Sequence, residues 1–179
     1  QLQKLLRTCG VCLTTTAEMD LVQQMKQDVC YLTKDEKEAV LPSQYKLPDG
    51  QVISLASERY EAPNILFDPT LIGSEEPGVA DILVHAIQKS DIDLRPKLYG
   101  QIVVAGGSTL LPNFGERLIH SVRARAPAST KLRISAPPER LYSAFTGGSI
   151  LASLATFKNL WVSREAYQEH GTSILQREI

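Results

Sequence analysis

With 179 residues, 43% of them hydrophobic, the chain has enough apolar surface for one ordinary domain or two small ones. A net charge of −1 and a pI near 6.4 argue against the broad basic footprint of a nucleic-acid binder. No apolar run approaches the roughly 20 residues of a membrane span, and no charged-then-apolar leader opens the chain. The expectation is a soluble cytoplasmic protein.

Residues 1–8 read as the end of a helix, with Leu2, Leu5 and Leu6 on one face and Gly10 as the stop. The absence of an initiator Met suggests a piece of a longer protein. Cys9 and Cys12 form a single C-x-x-C, with Cys30 apart from them. A structural zinc site needs four ligands and no second pair exists, so no metal site is expected and the thiols read as free. Thr15 followed by Glu18 fits a capping box. Leu21, Val22, Met25 and Val29 then recur at helical spacing, which predicts an amphipathic helix over about 17–30.

Residues 32–44 read as a polar surface loop. Tyr45 to Ile53 reads as a hairpin turning at Asp49-Gly50. A short helical turn is predicted from Pro63 to Phe67, broken at Asp68-Pro69, with the apolar pair Leu71-Ile72 in a loop. A second helix follows Gly78, over about 79–89, with Val79, Ile82, Leu83 and Ile87 inward. Asp93 is expected to cap a third, with Pro96 in its first turn.

Gln101 to Ala105 is a continuous apolar run that predicts a short buried strand, and Gly106-Gly107-Ser108-Thr109 follows it. A helix is expected from Pro112 to about Ala126, with Leu118, Ile119 and Val122 inward, and a strand over Lys131–Ile134. After Pro137-Pro138 comes a long helix over about 142–155, then a short helix holding Trp161, and a polar tail from 163. The pattern is α/β, with helices outnumbering strands.

Two segments carry candidate chemistry. Glycines at the carboxyl end of a strand let a ligand approach the backbone, and free N–H groups there can face a nucleotide. The sequence is neither a P-loop nor a G-x-G-x-x-G, so by spacing alone a tight turn without a ligand is the better account. The second is Gly147-Gly148 inside a helical pattern. Each glycine costs roughly 1 kcal/mol against alanine there, and such a pair usually permits the close packing of another backbone. Asp91 and Asp93 alternate like ligands, but capping is the better account.

Together these segments resemble the actin family. Val104 to Pro112 resembles its adenosine-binding motif. Ile134 to Arg140, Tyr142-Ser143 and Gly147 to Leu154 resemble its C-terminal core almost word for word. Thr14 to Glu18, Cys30-Tyr31, Tyr45 to Gly50, Trp161-Val162-Ser163 and Tyr167 match as well, in order along the whole chain. Within the family, Ser90 to Arg95, Arg133 to Pro137 and Glu139 to Ser143 look like the centractin branch, the actin-related subunits of dynactin. Leu141 stands where conventional actin has Lys.

The resemblance implies an α/β actin-like ATPase fold with ribonuclease H-like lobes, of which this chain is the C-terminal half. Residues 1–74 would be part of the outer subdomain of the second lobe (subdomain 4) and 75–142 part of its inner subdomain (subdomain 3). Residues 143–179 would return to the first lobe (subdomain 1). The cofactor implied is ATP or ADP with Mg2+, the metal and the catalytic residues belonging to the N-terminal half. No catalytic residue is therefore expected in this chain.

Nucleotide contacts implied by the resemblance are Gly106 and Gly107 for close approach, and Ser108, Leu110 and Leu111 lining the adenine pocket. Lys26 would reach in from the capped helix. Gln27 replaces a Glu that contacts the nucleoside, and Leu141 replaces the Lys that packs near the adenine. Phe67, Leu71 and Ile72 match a loop that faces the opposite filament strand. Leu151, Leu154, Thr156 and Leu160 match a cleft that takes an amphipathic partner helix. Implied partners are further copies in a filament, other actin-related or dynactin subunits, and capping or adaptor proteins, in a cytoskeletal setting that supports dynein-driven transport. A conventional or divergent actin, and a non-filament actin-related subunit of an axonemal or chromatin complex, are the alternatives.

Overall fold

The structure is a computed structural model that describes residues 1–34 and 42–176. In chain order it forms α1 (Leu2–Thr8), α2 (Thr16–Val29), β1 (Ser43–Lys46), β2 (Val52–Leu55), α3 (Glu58–Asn64) and α4 (Val79–Gln88). There follow α5 (Arg95–Tyr99), β3 (Ile102–Val103), α6 (Phe114–Arg123), β4 (Ile134–Ser135), α7 (Ser143–Ser153) and α8 (Arg164–His170). Single 3-10 segments lie at Pro69–Ile72, Gly107–Leu110, Ala155–Leu160 and Gly171–Gln176. Among the described residues no helix is long and apolar enough to cross a membrane.

The helix ends follow local chemistry. Gly10 adopts φ 84, and the N–H groups of Gly10 and Val11 reach back to the carbonyls of Arg7 (3.1 Å) and Leu6 (2.9 Å), which closes α1. At α2 the Thr15 side chain accepts from the Glu18 N–H, while the Glu18 carboxylate accepts from the N–H groups of Thr14 and Thr15 at 2.7 Å. This is the expected capping box, and those bonds hold the Glu18 carboxyl below its ordinary pKa. β1 and β2 pair antiparallel, Lys46 opposite Val52. Their turn is closed by Gly50 N–H to Leu47 O at 2.9 Å, with Gly50 at φ 90, so the reversal is centred one residue earlier than expected.

Two apolar cores form. The first packs Leu2, Leu6, Leu13, Val22, Met25 and Cys30 against Leu47, Ile53, Leu55 and Ala62. The second gathers Leu32, Phe67, Ala80, Val84, Ile87, Tyr99, Phe114, Leu118 and Val122. Leu111, half-buried, packs against both. β3 and β4 pair parallel on the second core, Ile102 opposite Ile134.

Several expectations are corrected. Leu32 and Thr33 are fully buried rather than part of a surface loop, because Leu32 N–H bonds Pro112 O at 3.0 Å and draws the segment inward. Ser43 and Gln44, also expected in that loop, belong to β1, and residues 35–41 lie outside the described residues. α3 begins at Glu58 and carries Pro63 inside it. In α4 the buried stripe is Ala80, Val84 and Ile87, at i, i+4 and i+7, and Ile82 is exposed. Asp93 makes no side-chain cap on α5, whose N-cap is Leu94. Val103 is 72% exposed, since β3 has a single partner strand and one open face. A Cβ on Gly147 or Gly148 would meet nothing within 4 Å, so no backbone packs against that pair among the described residues. Trp161 follows the Ala155–Leu160 segment as its cap, and α8 and Gly171–Gln176 give the expected tail helical structure.

Candidate nucleotide turn and assembly surfaces

The candidate turn begins where β3 ends. Gly106 takes φ 93 and ψ 161, a conformation that side-chain-bearing residues rarely adopt. Its N–H donates to Arg140 O at 2.9 Å and its carbonyl accepts from Thr109 Oγ1 at 2.8 Å. The chain then winds into one 3-10 turn, Gly107–Leu110. Among the described residues the amides of Gly107 and Ser108 have no acceptor, and both residues are exposed. The turn therefore offers two successive N–H donors to solvent at the carboxyl end of a parallel strand, where open α/β sheets bind ligands.

Arg140 holds this arrangement. Its Nε donates to Thr109 Oγ1 at 3.0 Å and its Nη2 to Thr109 O at 2.9 Å. Its Nη1 donates to Pro137 O at 3.0 Å. The next residue, Leu141, leans over Gly107, where an added Cβ would sit 3.4 Å from Leu141 Cδ1. A Cβ on Gly106 would meet nothing within 4 Å. The glycine pair thus presents open backbone beside an apolar side chain.

The other expected contacts are distributed around this turn. Leu110 and Leu141 are about equally exposed, while Leu111 turns inward as the wedge between the two cores. Lys26 and Gln27 stand exposed on the last turns of α2 and form no hydrogen bond to the glycine turn. The connection from α2 to the turn runs through Leu111, whose side chain touches the core that holds Met25.

The matching of the sequence model for the Actin family to residues 2–179 decides the family. The chain belongs to the actin family. Its mixed helices and small sheets agree with an α/β actin-like fold. Actin-family members in general bind ATP or ADP with Mg2+ and self-associate.

In this actin-family chain the predicted assembly residues lie in two environments. Leu71 and Ile72 are 54% and 48% exposed on a turn fixed at both ends. Asp68 accepts from Thr70 N–H at 3.1 Å, and Gly73 closes the far side at φ 75. Phe67 is instead buried, tilted against Phe114 at 5.6 Å and lying 5.7 Å beneath the Arg117 guanidinium. Its ring anchors the turn on the second core and is nearly closed to solvent. Leu151, Leu154, Thr156 and Leu160 are exposed, and α7 buries none of its residues.

A cleft of about 860 Å³ lies between the Asp68–Thr70 turn and α6 and is lined by Phe67, Glu76, Arg117 and Arg125 among others. It is separate from the glycine turn. The residues holding the turn that the motif reading passed over are Arg140 and Thr109. Both stand inside the matched motifs, but nothing in their spacing, 31 residues apart, announces the contact.

Proposed function

We propose that this chain supplies the nucleoside side of the ATP cleft in an actin-related filament subunit of the dynactin type. The observation that carries this reading is the Arg140-held glycine turn, with the Gly107 and Ser108 amides left without an acceptor among the described residues and Leu141 beside them. A nucleoside fits this set. Leu110 and Leu141 give apolar surface for a base, with Leu111 behind them. The two amides can donate to ribose or phosphate oxygens, and the missing Cβ atoms leave room for close approach. Lys26 and Gln27 would complete the site from α2.

Among the described residues no group of three or more His, Cys, Asp or Glu side chains could hold a metal ion. No metal-dependent step is assigned to this chain. We place the metal, the phosphate-binding hairpins and the attacking water in another part of the full-length protein, this chain being its C-terminal half. Bound ATP would supply the phosphoanhydride that the full-length protein slowly cleaves. What this chain does is bind and orient the nucleoside.

The exposed Leu71-Ile72 pair supports a polymer contact, because an apolar pair raised on a rigid turn gains by burial against a neighbour. The exposed Leu151, Leu154, Thr156 and Leu160 support a seat for an amphipathic helix. The dynactin assignment, and with it capping or adaptor partners and a place in dynein-driven transport, rests on the Ser90 to Arg95 run and on Leu141.

Two measurements on the full-length protein test the proposal. Gly107→Val should abolish binding of a fluorescent etheno-ATP, because its side chain would occupy the approach to the turn. Tight binding by that variant would remove the site. Electron micrographs with ATP should show short filaments of limited length. Long dynamic filaments would favour a conventional actin, and monomers under every condition would rule out both filament readings.

A further inference from the structure

Gly106 presents a problem that the fold has to solve. Glycine at φ 93 is the residue with most freedom to leave that conformation, yet the two donor amides after it are useful only if they are already aimed. The turn has few packing contacts of its own, since Gly107 and Ser108 are exposed. Something outside the turn must fix it.

We propose that Arg140 is the positioning residue of the nucleotide turn, holding the Gly107 and Ser108 amides in their binding orientation without touching the ligand. This rests on the nucleotide reading of the turn. Both the backbone and the side chain of Arg140 take part. Its carbonyl accepts the Gly106 N–H at 2.9 Å and also the Ser143 hydroxyl at 3.2 Å. Its guanidinium spans the far end of the turn, with Nε on Thr109 Oγ1 and Nη2 on Thr109 O. The Thr109 hydroxyl, receiving the Arg140 N–H, directs its own proton to Gly106 O, so the ring Gly106–Thr109–Arg140–Gly106 is closed. The third arm, Nη1 on Pro137 O, ties that ring to the segment after β4. Residues 106 and 109, the two ends of the turn, are thereby clamped from one side, and the unpaired amides lie between them.

Arginine is required by this geometry. The planar fork meets acceptors in three directions at once, whereas a lysine ammonium on its flexible stem would reach one or two without fixing a plane. Charged hydrogen bonds of this kind are the stronger class, and the loss of the guanidinium should weaken nucleotide binding about tenfold or more.

The test uses the full-length protein and etheno-ATP, with four single variants, Arg140→Ala, Arg140→Lys, Thr109→Val and Gly107→Val, and one double variant. Dissociation constants, thermal midpoints and acrylamide quenching of the bound fluorophore are measured. Both Arg140 variants should bind etheno-ATP about tenfold or more weakly, with lysine giving little rescue. Thr109→Val, which keeps the side-chain volume and removes the shared hydroxyl, should weaken binding in the same direction. In each, bound fluorophore should become more accessible to acrylamide. A double variant, Arg140→Ala with Thr109→Val, should lose less than the sum of the two single losses, because both remove the same clamp.

If Gly107→Val loses binding while the Arg140 variants bind within twofold of wild type, the positioning role is overturned and the site stands. If Gly107→Val also binds like wild type, the site itself is wrong. A fall in thermal midpoint for Arg140→Ala with unchanged affinity and quenching in Thr109→Val would make Arg140 a fold support only, and would overturn the proposal.

Discussion

The backbone N–H of Tyr31 donates to the carbonyl of Arg59 at 3.2 Å, the group that Pro63 leaves without its helical donor four residues on. The same arginine returns the contact. Its Nε donates to Val29 O at 2.9 Å, and its guanidinium lies 5.0 Å above the Tyr31 ring. A proline inside α3 is thus accommodated by the end of α2, and the two helices are joined across 28 residues of sequence. Arg59→Ala should cost about 1–3 kcal/mol through the lost charged hydrogen bond and ring contact. Arg59→Lys should recover only part. Urea unfolding of the full-length protein followed by hydrogen exchange at residues 29–31 measures this; unchanged protection there would contradict it.

Gly78 is under backbone constraint. A Cβ on Gly78 would lie 2.0 Å from the Phe67 carbonyl oxygen, a group with no flexible side chain to swing away. Gly78→Ala should therefore displace the start of α4 from the Phe67 turn and destabilise by about 3 kcal/mol. Gly115→Ala is the control, since nothing lies within 4 Å of its added Cβ, and it should shift stability by about 0.5 kcal/mol or less. Equal thermal midpoints for the two variants would show the clash to be absent.

The capping box of α2 has a signature in pH. The backbone N–H of Thr15, that of Thr14 and the Thr15 side chain, in that order, lower the Glu18 pKa. A folded pKa below the unfolded one contributes stability that is complete above the unfolded pKa, ordinarily near 4.5 for this group, and lost as pH falls through the depressed value. A 13C titration of the Glu18 carboxyl should have a midpoint below that of an ordinary glutamate. In Thr15→Ala the midpoint should rise towards it, and the helix should lose about 1 kcal/mol.

The thiols should separate by environment. Burial pushes Cys30 up to about 11, so its thiolate is scarce and its sulfur inaccessible. The Cys9 thiol is raised because it donates to the Glu58 carboxylate at 2.8 Å. Iodoacetamide at pH 8 should label Cys9 and Cys12 and spare Cys30. Glu58→Gln should speed labelling of Cys9 by removing the charge that opposes the thiolate. Peptide mass spectrometry with time reads both, and rapid native labelling of Cys30 would contradict its burial.

Leu71→Asp with Ile72→Asp should leave monomer stability within about 0.5 kcal/mol, because both side chains are near half-exposed. Assembly should suffer, with the critical concentration rising severalfold as a charge is forced into an apolar contact. Unaltered filaments in sedimentation would place the polymer contact elsewhere.

Local signals in this chain were legible before any tertiary contact was known. Gly10 stopping α1, Thr15 and Glu18 opening α2, and the 43–55 hairpin around Gly50 each depend on residues within four or five positions. The family was legible too, through motifs in register from one end to the other. The extent of α3 was not legible, because Pro63 reads as a start until Tyr31 arrives to take the Arg59 carbonyl. The inward face of α4 was misjudged at Ile82, since hydrophobicity cannot distinguish a core residue from an exposed one when both lie on an apolar helix.

The sequence by itself determined the class of fold, the stop of α1, the capping box of α2 and the place of the glycine turn, because these depend on backbone preference and near neighbours. Only the tertiary structure decided that Phe67 anchors a turn instead of forming its surface, that Leu111 wedges between two cores, and that Arg140 closes a ring with Gly106 and Thr109. Those relationships join residues about 30 or more positions apart, and their hydrogen bonds and packing exist only after the chain has brought the partners together.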